Sequence, residues 1–294
     1  MTDGAAALGR LRALTEAALT TLDFGEPADV APLAEAMRYS LLAGGKRVRP
    51  VLCLAVAEGF GCPAGDALPT ALALELVHTF SLVHDDLPAL DDDALRRGRP
   101  TAHVVYGEDI AVLAGDALLN HAFALVCEHQ TGPDARRVAA LRELVSAVGL
   151  LGMIGGQYRD VRPDDALDAA GLERTSRLKT GALLGASSAC GAVVAGADAS
   201  GVATARAFGT ELGLLFQIVD DVLDETGSSE ALGKSAGTDA RRGRRTFASE
   251  LGLPGAHERA AESERAARKL LSELPPAAHA PLEALVSLVA TRDR

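Results

Sequence analysis

Apolar residues return at helical spacing along almost the whole chain, and this pattern limits the fold more than any other feature. Leu8, Leu11, Leu14, Ala18 and Leu22 open it as an amphipathic helix. After Gly25, Pro27 and Pro32 a second helix follows to Leu42. Gly44-Gly45-Lys46-Arg47-Val48-Arg49-Pro50 is a basic break, and Pro50 suits the first turn of a helix over residues 51–58. A long apolar helix is expected over residues 68–84, with Thr70, Glu75, His78 and Ser81 embedded in it. Residues 87–101 are charged and loop-like. Further helices are expected over 111–129, 137–153, 175–195, 208–224 and 258–274, with Pro281 starting a final one. Three Tyr, seven Phe and no Trp leave stripes of Leu, Val and Ala to fill the core, which suits an all-α protein. No linker or composition shift divides residues 1–294, so the chain reads as a single large helical bundle.

The charge balance, 29 − 40 = −11, argues against nucleic acid as a partner. It leaves anionic substrates open, because a basic cluster or bound cation reverses the field locally. Cys53, Cys62, Cys127 and Cys190 form no CxxC pair and read as reduced thiols. The N-terminal stretch carries Asp3 and Glu16 without a long apolar run, and no segment reads as a membrane span free of charges or glycines. The expectation is a soluble cytoplasmic protein without stable membrane insertion.

Chemistry concentrates in two acidic clusters. Asp85-Asp86-Leu87-Pro88-Ala89-Leu90-Asp91-Asp92-Asp93 places five carboxylates at the C-terminal end of an apolar helix. The helix dipole is negative there and disfavours each anion by about 0.3–1 kcal/mol. Hard divalent cations with oxygen ligands would offset that repulsion, although a solvated acidic loop is also compatible with this run alone. On an ideal helix Asp85 and Asp91 lie about 120° apart, but Pro88 can fold Asp91 back toward Asp85. The second cluster, Asp220-Asp221-Val222-Leu223-Asp224, also closes an apolar helix, with Asp220 and Asp224 one turn apart on one face. Two such helices facing each other would make a central apolar cavity with a metal-bearing mouth. Arg96-Arg97-Gly98-Arg99 follows the first cluster, and Lys234, Arg241, Arg242, Arg244 and Arg245 follow the second. Arginine binds phosphate oxygens bidentately, and Mg²⁺ bridges carboxylate to diphosphate. Anion, cation and apolar shaft together specify a substrate with a diphosphate head and a hydrocarbon tail.

These residues resemble those of the trans-isoprenyl diphosphate synthase family, most closely its bacterial farnesyl diphosphate synthases, over nearly the whole length. Residues 82–101 resemble the first aspartate-rich motif with its trailing arginines, and residues 217–224 the second. Gly45-Lys46-Arg47-Val48-Arg49-Pro50, Gly155-Gly156-Gln157, Lys179-Thr180-Gly181 and Leu232-Gly233-Lys234 match further motifs in order. The resemblance implies that Asp85, Asp86 and Asp91 hold Mg²⁺ on an allylic diphosphate from one side, and Asp220, Asp221 and Asp224 from the other. It implies that Arg96, Lys179 and Lys234 contact that diphosphate, and that Lys46, Arg49, His78 and Arg97 bind isopentenyl diphosphate. Thr180 and Gln217 would lie near the reacting carbons. A homodimer is implied in the same way.

Several of these residues also have plain structural readings. His78 can be a packed core histidine, although it lies seven residues before Asp85 on nearly the same face. Gly155-Gly156-Gln157 can be a helix–helix close contact, and Thr180 can bond its own backbone. Lys179 in an apolar helix is costly without a partner, which favours phosphate binding. Two departures from the family pattern stand out: Gly243-Arg244-Arg245-Thr246 after the basic loop, and Tyr158-Arg159 after Gln157.

The implied reaction is ionisation, condensation and elimination, with residues 227–243 as a lid against water. Product length would depend on depth below Asp85. Ser81 lies one turn down, and Phe80 is assigned as the floor by the resemblance, which favours a C15 product with C10 and C20 as alternatives. A class I terpene cyclase would need aromatic walls that ten aromatic residues scarcely supply. A non-catalytic synthase subunit would be expected to lack aspartates that this chain keeps.

Overall fold

The computed structural model describes residues 3–25, 27–162, 168–226 and 244–291. Helices α1 (Asp3–Thr20), α2 (Ala31–Leu41), α3 (Val48–Gly59) and α4 (Ala64–Asp85) come first. A short hairpin follows, then α5 (Ala102–Tyr106), α6 (Glu108–Ala124), α7 (Asp134–Val148), α8 (Met153–Val161) and α9 (Ala169–Ser176). The chain continues through α10 (Ala182–Ala195), α11 (Ala199–Thr226), α12 (Phe247–Ser272) and α13 (Pro276–Ala290). Apart from the hairpin, the regular structure of the described residues is helical, as the periodicity predicts.

The shifted boundaries have physical causes. Pro281 lies inside α13, because Pro275 as N-cap and Pro276 at the first position already open that helix. α12 is two helical runs joined across a non-helical kink at Gly252 (φ 67, ψ 162), and the first run begins at Phe247, before the expected residue 258. The expected helix over 137–153 is α7, which ends earlier at Val148, and after Gly149–Gly152 a further helix, α8, begins at Met153. Two π-helical segments, Leu125–His129 and Arg177–Gly181, have no counterpart in the sequence pattern.

α10 is the central helix, buried at every position from Leu183 to Val194 and packed by α3, α7 and α11. α4 lies against α3 and α6, and α11 lies between α10 and α12. Most buried apolar residues form one contiguous cluster running through these helices. A smaller cluster of Leu172, Leu214, Ile218, Val222, Phe247 and Ala256 joins α9, α11 and α12, seating the C-terminal half of α11. Length and hydropathy alone would let some of the described helices cross a membrane, although each carries charges or glycines, as expected. Five helical stretches, including Ala64–Asp85 and Ala199–Thr226, reach that length and hydropathy. In those two, 67% and 50% of the apolar window is buried against the rest of the protein.

Candidate active site

α4 ends at Asp85 with Asp86 as its C-cap, and Pro88 stops the helical ladder. The chain then folds back on itself. Asp91 N–H donates to the Asp85 carbonyl at 2.8 Å, and Asp93 N–H to the Asp86 carbonyl at 3.2 Å. Asp91 is thereby returned over Asp85, six residues away in sequence. Just beyond, Leu95–Arg96 and Arg99–Pro100 pair antiparallel. Arg97 (φ 53) and Gly98 (φ 75) form the connecting turn, in the left-handed geometry that two-residue hairpins favour. The hairpin aims Arg96 at the acidic turn, with Nε 2.6 Å from Asp86 Oδ1 and Nη2 3.4 Å from Asp93 Oδ2.

Electrostatically the turn is crowded. Burial pushes Asp85 up to about 6; Lys179 and Arg96 pull it down, while Asp91 and Asp86 push it further up. Asp86 is raised too, chiefly by burial and against the pull of Arg96. Both carboxyls thus sit where added positive charge would be favourable.

The opposite wall is α11. Gln217 Nε2 donates to Asp221 Oδ1 at 2.8 Å, and Gln217 Oε1 accepts from Thr180 Oγ1 at 2.9 Å. The Thr180 hydroxyl therefore reaches across to α11 in preference to its own backbone. Asp221 Oδ2 accepts from the Phe247 N–H, the first residue of α12, at 2.9 Å. Asp221 is buried and fastens the amide of Gln217 to the start of α12, while Asp220 stays half-buried beside it.

Lys179 and Thr180 lie in the π segment Arg177–Gly181. Arg177 anchors that segment, bonding Glu173 and Glu211 at 2.9 Å each. Lys179 Nζ meets Asp160 Oδ2 of α8 at 2.6 Å. Arg244 bonds Asp91 through its Nη2 and stands 3.3 Å from Asp160 through its Nε. Asp160, Thr175, Lys179, Gln217, Asp221 and Arg244 line one cleft. Arg244 and Lys179 tie this cleft to the acidic end of α4, Arg244 by bonding Asp91 and Lys179 by its pull on Asp85.

A second group gathers beside α4. Lys46 is exposed, whereas Arg49 and His78 are half-buried. Burial draws Arg49 down to about 10, helped by Arg97 and opposed by Glu75. Burial drives His78 well below its ordinary value, and Arg49, Arg97, Arg96 and Arg47 add to the effect, so its imidazole is neutral at pH 7. Of the predicted isopentenyl-binding set, Arg49 and Arg97 are thus close enough to act on His78, while Lys46 is exposed. Deeper in the site, the Phe80 ring packs edge-on against His84, with centroids 5.0 Å apart, and is 7% exposed. His84 in turn bonds the Val112 carbonyl of α6 at 3.0 Å, so Phe80 lies on the α6 side of α4. Ser81 Oγ donates to the His78 carbonyl at 2.8 Å.

Lys234 and the rest of residues 227–243 lie outside the described residues. The residue that sequence reasoning missed is Asp160, which neutralises two cations at the mouth; its place three residues after Gln157 was the available signal. Among the described residues, no three His, Cys, Asp or Glu side chains stand close enough together to hold an ion. Arg96 and Arg244 take up Asp86, Asp93 and Asp91 in this arrangement. The donor set is made of hard carboxylate oxygens, and that chemistry fits Mg²⁺.

A family model described as Polyprenyl synthetase matches residues 30–278. The chain belongs to the polyprenyl synthetase family. This synthetase is 47% identical over 263 residues to the chloroplastic geranylgeranyl pyrophosphate synthase of Catharanthus roseus, covering 88% of this chain and 73% of the relative. It is 47% identical over 265 residues to the chloroplastic heterodimeric geranylgeranyl pyrophosphate synthase large subunit 1 of Arabidopsis thaliana, covering 88% and 71%. A crystal structure of a geranyltransferase from Helicobacter pylori, complexed with magnesium and isoprenyl diphosphate, aligns with a TM-score of 0.85 and 31% identity over 98% of each chain. The polyprenyl synthetase described above is therefore a prenyl diphosphate synthase, a short-chain prenyltransferase of isoprenoid biosynthesis. Two expectations change. The cytoplasmic placement is corrected, since these relatives are chloroplastic enzymes. On product length, the relatives' names match the C20 alternative better than the farnesyl reading.

Proposed function

We propose that this enzyme condenses isopentenyl diphosphate with an allylic diphosphate to give geranylgeranyl diphosphate. The supporting observation is one cleft lined by Lys179, Arg244 and the α11 residues Gln217 and Asp221, with Arg244 bonded in turn to Asp91 of the folded-back acidic turn. The 47% identity to geranylgeranyl synthases supports the C20 product.

In this reading Asp85, Asp86 and Asp91 would hold Mg²⁺ from the α4 side, and Asp220 and Asp224 from the α11 side, with Asp221 keeping the wall in place. Mg²⁺ supplies Lewis-acid stabilisation of the charge on the departing diphosphate. Arg96, Lys179 and Lys234 bind the same diphosphate and stabilise the negative charge that grows as its C–O bond breaks. Lys46, Arg49 and Arg97 hold the isopentenyl diphosphate, and neutral His78 donates one N–H to it. The allylic carbon then bonds to the isopentenyl double bond, and a proton leaves the new chain for the freed diphosphate. Thr180 and Gln217, fixed by their mutual hydrogen bond, border the reacting carbons. Water is excluded throughout, since it would capture the cation.

A second reading, farnesyl diphosphate, rests on one observation: the Phe80 ring is buried five residues below Asp85, where it would stop a growing tail. The enzyme also pairs with a second copy of itself, supported by apolar side chains left in solvent at Val145, Leu150 and Leu151, with Leu150 and Leu151 83% and 84% exposed. Incubating the purified chain with isopentenyl diphosphate, dimethylallyl diphosphate and Mg²⁺, then sizing the product, tests the assignment. A C20 product is expected. A C15 end product selects farnesyl, a cyclic hydrocarbon means a cyclase, and no product from the chain alone means a dependent subunit.

A further inference from the structure

The basic turn before α3 contains one cation that the reaction above does not use. Arg47 lies between Lys46 and Arg49, yet its side chain is only 1% exposed and points the other way. Its Nε bonds Glu16 Oε1 of α1 at 3.0 Å, and its Nη1 bonds Glu75 Oε1 of α4 at 2.7 Å. Its Nη2 reaches Glu16 Oε2 at 3.3 Å and the Leu41 carbonyl at the end of α2 at 2.9 Å. One guanidinium therefore ties three helices together, and each of its nitrogens has an acceptor. Burial opposes its charge, but Glu75 and Glu16 more than offset that, and its pKa is raised.

The backbone around it is unusual. Gly44 (φ 85), Gly45 (φ 132) and Arg47 (φ 51) all have positive φ. For Arg47 this is the left-handed region that residues with a Cβ avoid, so surrounding contacts must enforce it. The carbonyl of Gly45 accepts from Arg12 at 3.2 Å, and that of Gly44 from Arg97. A Cβ on Gly45 would sit 2.6–2.9 Å from the Arg97 guanidinium. The turn is thus moulded from both sides, and its shape decides where Lys46 and Arg49 project. Glu75 is also the acid whose field acts against burial at Arg49 and Arg97. It is 2% exposed in an otherwise apolar helix, one turn before His78.

We propose that Arg47 and Glu75 form a buried positioning pair that fixes the left-handed turn and thereby sets the grip of Lys46, Arg49 and Arg97 on the second diphosphate. The inference rests on the assignment of those residues to isopentenyl diphosphate. Arg47 does not touch substrate. It acts through the backbone of its own turn, whereas Glu75 acts through Arg47 and through its charge on the neighbouring arginines.

Steady-state kinetics of Arg47→Gln, Glu75→Gln and the double variant, varying each substrate separately, tests it. The KM for isopentenyl diphosphate is expected to rise about tenfold or more, on the scale that loss of about 1 Å in placement produces. The KM for the allylic substrate should stay within about twofold, and kcat should follow. The double variant should be no worse than the poorer single one, because the two residues act as a unit. Arg47→Lys, which keeps charge but loses the fork, should fall between wild type and Arg47→Gln. If Arg47→Gln does not fold, Glu16→Gln weakens the same clamp from its half-exposed partner and must show the same selective rise. Equal losses for both substrates, or no rise in the isopentenyl KM, overturn the proposal. Lys46→Ala is the control for the underlying assignment. If it leaves the isopentenyl KM unchanged, the assignment fails; if it raises that KM while the Arg47 and Glu75 variants do not, only the positioning role fails.

Discussion

Gly156→Ala should damage catalysis through one methyl group. Gly156 is buried in α8, where it meets the segment that carries Lys179 and Thr180. A Cβ at this position would lie 2.2 Å from Lys179 N, 2.5 Å from Lys179 Cα and 2.8 Å from the Leu178 carbonyl carbon. Carbon contacts essentially never fall below 3.0 Å, and all three atoms are backbone, so no rotamer change relieves the clash. The two segments must part by roughly 1 Å. Overpacking of this kind costs about 1–3 kcal/mol of stability. The same displacement moves Lys179 and the Thr180–Gln217 pair, and an error of about 1 Å in a catalytic constellation can cost about 100-fold in rate. The assay is kcat/KM for both substrates with a thermal melt in parallel. Activity within about twofold of wild type, in a protein that melts normally, would refute the close approach of α8 to the Lys179 segment.

Further outcomes follow from the same geometry. Phe80→Ala should shift the products toward longer chains, read by mass spectrometry; an unchanged profile removes Phe80 from the floor. Asp85→Asn and Asp220→Asn should each lower kcat by orders of magnitude with the helical circular dichroism intact, and near-normal turnover in either would take that aspartate out of the metal site. His78 has a folded pKa well below its unfolded value near 6.5, so it stays neutral in the fold while the unfolded chain takes up a proton. Its contribution is therefore complete above that pH and declines as pH falls through the unfolded value, by up to about 1.4 kcal/mol per pH unit. Chemical denaturation between pH 7 and 5 should show a shallower decline for His78→Asn, and equal slopes would contradict a depressed value.

The helices were legible because burial writes a 3.6-residue period into Leu, Ala and Val, and a helix such as α10 keeps that signal even when buried all round. The return of Asp91 onto Asp85 was legible too, because Pro88 leaves the chain little choice but to turn. What stayed hidden depends on partners distant in sequence. The place of Asp160 three residues after Gln157 hints at a site residue without naming Lys179 and Arg244 as its partners, and nothing local marks Asp221 as the acceptor for the first N–H of α12. Asp220 and Asp221 are adjacent and chemically identical, yet their directions differ by about 100° on a helix, and the packing of α12 decides which faces inward. Glu75 was visible only as a charge in an apolar helix. That signal announces a buried partner without saying which one. The π segment at Arg177–Gly181 was hidden for the same reason, since its extra residue per turn is stabilised by Glu173 and Glu211 and not by its own sequence.

The pairings at the mouth carry a consequence for how ligands enter. Lys179 is held by Asp160, Arg96 by Asp86, and Arg244 by Asp91 and Asp160. A diphosphate arriving alone would draw those cations away and leave three carboxylates in a partly buried site without counter-charge, which is strongly unfavourable. A divalent cation arriving alone would do the converse to the lysine and the arginines. Only the two together let Asp86 and Asp91 exchange their arginines for a cation while the arginines and Lys179 turn to the diphosphate, so each should strengthen the binding of the other. Coupling of about 1–3 kcal/mol, or 5–150-fold, is the usual scale for linked sites. Inorganic diphosphate titrated calorimetrically into the enzyme should therefore bind at least about fivefold more tightly with excess Mg²⁺ than with a chelator. Equal affinities would mean that the carboxylates do not compete for the cations, and that the ion pairs at the mouth have no bearing on substrate entry.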